Sequence, residues 1–342
     1  MNNDKKLREI QRFAFVSIAG IIQTFSQRQL FWFLTIASAI FSISIHPFKT
    51  LANQPDSAID GIQNMKVWQA IFLGFVQGAT EFFPISSTAH LKAVPVALGW
   101  GDPGVAFSAV IQLGSIAAVL CFFWKDLSRI FKSASRAMAL SDYMDFDFRL
   151  CVGILFGTLP ILLCGIIIKI FVPDFDSSPL RSMNAIAIAS IVMSILLGLA
   201  EKISKRRRDF ENLVMLDGLL MGVAQALALI PGVSRSGSTL TAGLFLNLER
   251  ETAARFSFLL GIPAISIAGL VQLQAFFAAG VDGSQIVSLS AGIISSTVFS
   301  YLAIASLLRF LKTQSTWVFV WYRLIFGIVI LSGIAAGFLE NS

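Results

Sequence analysis

Phe83-Pro84-Ile85-Ser86-Ser87-Thr88 and Ile230-Pro231-Gly232-Val233-Ser234-Arg235-Ser236 each sit in the middle of an otherwise apolar run, residues 67–99 and 213–248. A lipid-facing helix does not carry a proline and a cluster of polar groups at mid-depth, where no water reaches them. Broken backbone is tolerated in a membrane where it is buried in protein or lines a polar cavity. Both runs therefore read as re-entrant helical hairpins, with ordinary Pro-kinked helices as the alternative. The two runs also resemble each other. Gly74, Gln77, Pro84 and Ser87 recur 147–148 residues later as Gly222, Gln225, Pro231 and Ser234, aligned by one single-residue gap.

The rest of the chain supplies the membrane context. Of 342 residues, 56% are hydrophobic and 13% charged, 31 are Phe, and the mean hydropathy is +0.76. A soluble domain carries about 25% charged residues, so too little polar surface exists here to cover a water-facing body. Six runs almost free of charge are long enough to cross about 30 Å of hydrocarbon: residues 105–124, 150–168, 183–200, 256–277, 286–308 and 317–338. A shorter apolar run, residues 30–45, precedes them and ends at His46, which reads as interfacial. It reads as an extra signal-anchor helix, with a targeting segment or an interfacial helix as alternatives. The division is thus an N-terminal extension, 1–63, and a membrane-embedded domain, 64–342. Cys121, Cys151 and Cys164 all fall in apolar segments without CxxC spacing, which argues against a disulfide framework or a zinc site.

Charge sets the direction of threading. Lys5, Lys6, Arg8, Arg12 and Arg28 precede the first apolar run. Lys125, Arg129, Lys132, Arg136 and Arg149 lie in the loop between residues 105–124 and 150–168. The next loop leans acidic, with Asp174 and Asp176 against Arg181. Then come Lys202, Lys205, Arg206, Arg207 and Arg208, a loop at Asp282 without Lys or Arg, Arg309 with Lys312, and a tail with Glu340. Basic and non-basic loops alternate, and the positive-inside rule puts Lys132 and Arg206 in the cytoplasm with Asp174 and the C-terminus outside. The net charge of +6 is spent in these loop clusters, which gives no reason to expect nucleic acid. The alternation holds only if each hairpin returns to the side it entered. The expected fold is an all-α polytopic membrane protein with six spanning helices, plus two re-entrant hairpins in an inverted-topology repeat whose tips meet near the midplane.

The hairpins also hold the reactive groups. Glu81 lies in an apolar segment, where an ionisable group is costly and usually functional, and Gln77 is four residues earlier on the same helical face. If a helix starts at the serines, Ser87 and His90 face one direction, a plausible nucleophile and base. Residues 231–239 combine glycine, hydroxyls and Arg235 at a helix start, where free N–H groups and the dipole favour an anion. The guanidinium fork suits phosphate oxygens. The segment lacks the G-x-x-x-x-G-K-[ST] pattern of a nucleotide-binding loop.

Residues 77–90 resemble the (E/Q)xxxE motif and the following Ser/His stretch of the undecaprenyl-diphosphate phosphatase family, the bacitracin-resistance protein type. Residues 231–239 match that family's PGxSRSxxT motif at every fixed position, and residues 107–114 and 255–263 are similar to it as well. The resemblance covers roughly residues 64–338. It implies hydrolysis of undecaprenyl diphosphate to undecaprenyl phosphate and phosphate, recycling the carrier for cell-wall polysaccharide synthesis and giving bacitracin resistance. It also implies two inverted hairpins, a divalent cation (Mg²⁺ or Ca²⁺), a multi-pass location in the plasma (inner) membrane and a site open to the extracytoplasmic side. Carried over by position, Glu81, Ser87, His90 and Arg235 are catalytic, and Ser86, Ser234, Ser236, Thr239 and Gln77 bind the substrate phosphates. Glu81 would bind the cation or handle protons. Because the first motif position is Gln77 rather than Glu, one fewer carboxylate is available for a metal. The partners implied are the polyprenyl diphosphate lipid and the bilayer, and a homodimer is compatible with this. Either Ser87 or His90 could attack phosphorus. A polyprenyl-phosphate transporter or flippase is the competing function, because inverted repeats with broken helices are also the transporter pattern.

Overall fold

The computed structural model describes residues 65–342 except 173, 174, 176, 177, 279, 281, 340 and 342. The apolar run at 30–45, His46, Asp174, Asp176 and Glu340 lie outside the described residues. Among those described there is no β-strand. Eleven α-helices run in order: α1 Val67–Glu81, α2 Ser87–Ala97, α3 Gly104–Phe122, α4 Trp124–Leu140, α5 Phe146–Phe171, α6 Met183–Ile203, α7 Met215–Ala226, α8 Arg235–Phe245, α9 Arg250–Ala278, α10 Gly283–Thr313 and α11 Trp317–Ala335. All three cysteines are free thiols.

The long apolar runs became α5, α6, α9, α10 and α11, and each is long and apolar enough to cross a bilayer. The sixth expected span is different. Helix α3 ends at Phe122, and the chain bends by 73° into α4. Helix α4 is the basic stretch that reads as a loop in the sequence. It buries Ile130, Ala134 and Ala137 on one face and exposes Lys125, Arg129, Lys132 and Arg136. That charge density cannot continue through hydrocarbon, so the chain turns where apolar sequence gives way to basic sequence.

The two broken runs fold alike. Helices α1 and α2 have 15 and 11 residues, and α7 and α8 have 12 and 11. At 1.5 Å per residue none is long enough to cross about 30 Å of hydrocarbon. Helix α1 packs on α10 and α7 packs on α5, while α6 and α11 pack on each other. Small residues allow these backbones to meet. A Cβ at Gly74 would lie 2.3 Å from Gly292 O, and one at Gly222 would lie 2.1 Å from Gly157 O. Aromatic residues anchor the first tip: Phe82 is buried edge-on against Phe258, and Phe83 leans on Phe319.

At the far end of α6 the basic loop is held by acids. Glu201, 3% exposed, accepts from Arg206, Arg250 and Thr316, and Asp217 accepts from Arg208. The first set ties α6 to α9 and to the start of α11, and the second ties the loop after α6 to α7.

The α5–α7 contact is open to test. Gly222→Ala puts a methyl group into a carbonyl of α5, and such overpacking costs about 1–3 kcal/mol. A lower thermal-unfolding midpoint in detergent is expected, and an unchanged midpoint would contradict backbone contact between the two helices.

Candidate active site

The hairpins end in the same local structure. Each second helix starts at a serine N-cap held at positive φ, Ser86 at 74° and Ser234 at 71°. Non-glycine residues avoid this region, which costs of order 1–3 kcal/mol. The surroundings hold it there. Ser86 Oγ accepts from the Ala89 N–H and Ser234 Oγ from the Gly237 N–H. That leaves the first two N–H groups of each helix, on Ser87 and Thr88 and on Arg235 and Ser236, without an intrahelical partner. Ser86, Ser87, Thr88, Ser234 and Arg235 all line one cavity of about 150 Å³, so two helix N-termini face the same space.

Glu81 is the centre of the polar contacts. Its Oε2 accepts from Ser87 Oγ at 2.6 Å and from Gln77 Nε2 at 2.8 Å, and its Oε1 accepts from Arg235 Nη2 at 3.2 Å. Both charged side chains are nearly buried, at 5% and 10% exposure, where Coulomb attraction is far stronger than in water. Gln77 Nε2 also donates to Ser115, and Ser300 donates to Ser115 behind it. Gln77 Oε1 and Arg235 Nε are buried without a hydrogen-bond partner among the described residues.

The geometry divides the expected site residues. Glu81, Ser86, Ser87, Ser234 and Arg235 line the cavity; Gln77, His90, Ser236 and Thr239 do not. Ser236 Oγ donates to Glu81 O and Phe83 O and so ties one hairpin to the other. Thr239 donates to Arg235 O and hydrogen-bonds Ser257. His90 does not meet Ser87. Its Nδ1 lies 2.7 Å from Ser86 O, an acceptor, so Nδ1 carries a proton, and its Nε2 lies 2.7 Å from Tyr322 Oη. His90 therefore braces the strained cap next to Ser87.

Two residues on α11 escaped the sequence reading. One is Tyr322. The other is Arg323, 1% exposed, whose Nη1 donates to Pro84 O at 3.1 Å. Its Nη2 donates to Gly232 O and Val233 O at 2.7 and 3.0 Å, and its Nε to Ser190 O. One guanidinium thus holds both hairpin tips. A lone Arg amid 19 residues of apolar helix was the available signal.

The chain is similar to known proteins along most of its length. A family model described as bacitracin resistance protein BacA matches residues 70–329. An undecaprenyl-diphosphatase of Trichormus variabilis is 65% identical over 319 residues, covering 93% of this chain and 100% of its own. One from Nostoc sp. is 64% identical, covering 92% and 99%, and one from Gloeobacter violaceus is 54% identical, covering 82% and 96%. The first match is longer than residues 65–342 alone and so reaches into the N-terminal stretch, beyond the region of motif resemblance.

Gly261 tests how the cation is seated. A Cβ there would lie 1.8 Å from Arg235 Nη1. Gly261→Ala is expected to push the guanidinium out of the site while keeping α9 helical. Displacing such a group costs on the order of 100-fold in rate. Wild-type turnover in this variant would show that Arg235 does not act from the position described.

Proposed function

The chain belongs to the bacitracin resistance protein BacA family, and from that premise we propose that Glu81, Ser87 and Arg235 carry out its chemistry. The protein is a multi-pass membrane enzyme, a hydrolase that acts as an undecaprenyl-diphosphatase and confers bacitracin resistance. The relatives favour this activity over the transporter alternative.

The observation that carries the mechanism is the 2.6 Å hydrogen bond from Ser87 Oγ to Glu81 Oε2. Ser87 Oγ attacks the terminal phosphorus as Glu81 takes the hydroxyl proton. The bond to the bridging oxygen breaks, and Glu81 passes the proton to the departing undecaprenyl phosphate. Water then displaces Ser87 from the phosphoserine, which restores the hydroxyl and yields inorganic phosphate. Arg235 and the free N–H groups of α2 and α8 stabilise the equatorial oxygens as charge develops on them. Gln77 and His90 are positioning residues, the first for Glu81 and the second for the turn at Ser86.

A divalent cation fits as one that arrives with the substrate. Among the described residues no group of three or more His, Cys, Asp or Glu is placed to hold an ion. Glu81 is one carboxylate, already paired with Arg235, but the buried Gln77 Oε1 is a hard oxygen without a partner. Mg²⁺ is commonly held by one or two carboxylates plus substrate phosphates. Glu81, which lines the cavity, would hold it here, and it would neutralise charge on the diphosphate.

The inverted repeat is supported by exchange of partners. The first helix of each hairpin packs on a long helix from the other half, α1 on α10 and α7 on α5. The shortness of the hairpin helices supports re-entry. The family resemblance implies a site that opens on the extracytoplasmic side of the plasma membrane, and the alternation of loop charges supports the threading that this needs.

In a detergent assay of phosphate release, Ser87→Ala is expected to lose nearly all turnover and His90→Ala less. Acid quench of a slow variant is expected to trap phosphoserine at Ser87. Robust activity in Ser87→Ala, or an acid-labile phosphate on His90, would move the attack to the imidazole. An absence of phosphate release by the unaltered protein would return the transporter reading.

A further inference from the structure

Helix α4 divides its surface three ways. One stripe packs inward: Ile130, Ala134 and Ala137 are buried, the two alanines with Phe148 of α5. A second stripe carries Lys125, Arg129, Lys132 and Arg136, all exposed. A third carries Trp124, Phe131 and Met138, which are exposed by 67%, 73% and 43%. At about 100° per residue each stripe lies roughly a third of a turn from the next. A helix bordered only by water would not turn two aromatic rings outward beside four cations. A helix inside hydrocarbon would not carry the cations.

The 73° bend after α3 lays α4 across the direction of that apolar helix, along the bilayer surface rather than through it. Two ion pairs fix which way up it lies. Asp126 accepts from Arg255 near the start of α9, and Arg129 pairs with Asp147 in the first turn of α5. Both partners stand at helix ends, the polar side of the membrane boundary. The stripe of Trp124, Phe131 and Met138 is about half a turn away from these pairs and faces the other way, toward acyl chains. Arg129 is thereby partnered, whereas Lys125, Lys132 and Arg136 have no ion-pair or hydrogen-bond partner among the described residues. We propose that α4 is an in-plane anchor for anionic phospholipid. Trp124, Phe131 and Met138 enter the acyl boundary, and Lys125, Lys132 and Arg136 hold phosphate headgroups of the same leaflet. A bilayer surface meets both stripes at once, because its acyl chains and its phosphates lie one above the other. The alternation of loop charges supports a cytoplasmic position, and that leaflet is the anionic one. The anchor stands apart from the chemistry at Ser87 and does not depend on it.

Quenching of Trp124 by lipid gives the test. The full chain is purified in detergent and titrated with phosphatidylglycerol or with phosphatidylcholine, each carrying brominated acyl chains. The Trp124 signal is the difference between the unaltered protein and Trp124→Phe. Half-quenching is expected at a lower mole fraction of phosphatidylglycerol than of phosphatidylcholine. One juxtamembrane cation is worth about fivefold in that ratio, so Lys132→Gln should reduce the preference by about fivefold and Lys132→Arg should keep it. The triple variant Lys125→Gln, Lys132→Gln and Arg136→Gln should quench equally with both lipids. All three side chains are exposed, and monodispersity of each variant checks that it has folded. Equal quenching by the two lipids in the unaltered protein would overturn the proposal, as would an undiminished preference in Lys132→Gln or in the triple variant. Absence of quenching by either lipid would overturn it as well, and would leave this face of α4 to a protein partner.

Discussion

A helix broken inside a bilayer leaves carbonyl groups that no water reaches, and in this protein three of them converge on Arg323. Pro84 O, Gly232 O and Val233 O all accept from its guanidinium, and Ser190 O accepts from Nε. An unsatisfied backbone group in hydrocarbon costs several kcal/mol, and a buried guanidinium is itself expensive unless its donors are used. Each requirement answers the other. The five N–H donors in a fixed fork let one side chain reach both tips, which a Lys could not do with the same geometry. The tips lie in different halves of the sequence, so this contact sets the distance between the residues they carry.

Everything reactive follows from that distance. The tips present two helix N-termini to one cavity, each started by a serine held at positive φ. Glu81 comes from one hairpin and Arg235 from the other. Their pair is buried, and removing one partner of such a pair costs about 3–5 kcal/mol through the charge left behind. Ser236 ties the tips a second time through Glu81 O and Phe83 O. The result is a serine hydroxyl beside a carboxylate and a guanidinium, and in the proposed mechanism these surroundings need little rearrangement when charge develops on a phosphoryl group.

Much of this was legible in the sequence because the bilayer makes polar residues conspicuous. Pro84 and Pro231 among serines in apolar runs marked the breaks between α1 and α2 and between α7 and α8, and Glu81 and Arg235 stood out as ionisable groups in apolar sequence. Other features were hidden for identifiable reasons. Arg323 lies in a span whose boundaries were clear, and its partners are backbone carbonyls that no residue type reveals. The spacing of Ser87 and His90 is right for one helical face, yet spacing does not say what stands opposite. Glu81 returns across the tip to Ser87, while His90 faces Tyr322 from 232 residues away. Residues 124–140 read as loop when their charges are counted without their period, and the structure makes them an amphipathic helix. Gly222 was legible as a match in the repeat and Gly261 as part of a familiar stretch, but nothing in the sequence says that they leave room for a neighbouring backbone and for a guanidinium.

The central claim is that Arg323 sets the catalytic distance without touching substrate. The rate of phosphate release by detergent-purified, monodisperse Arg323→Gln tests it most directly. Loosening the tips by an ångström should lower the rate by about 100-fold or more, although Glu81, Ser87 and Arg235 are all still present. A rate within a few fold of the unaltered enzyme would contradict the account, because the hairpins would then be held in register by something else.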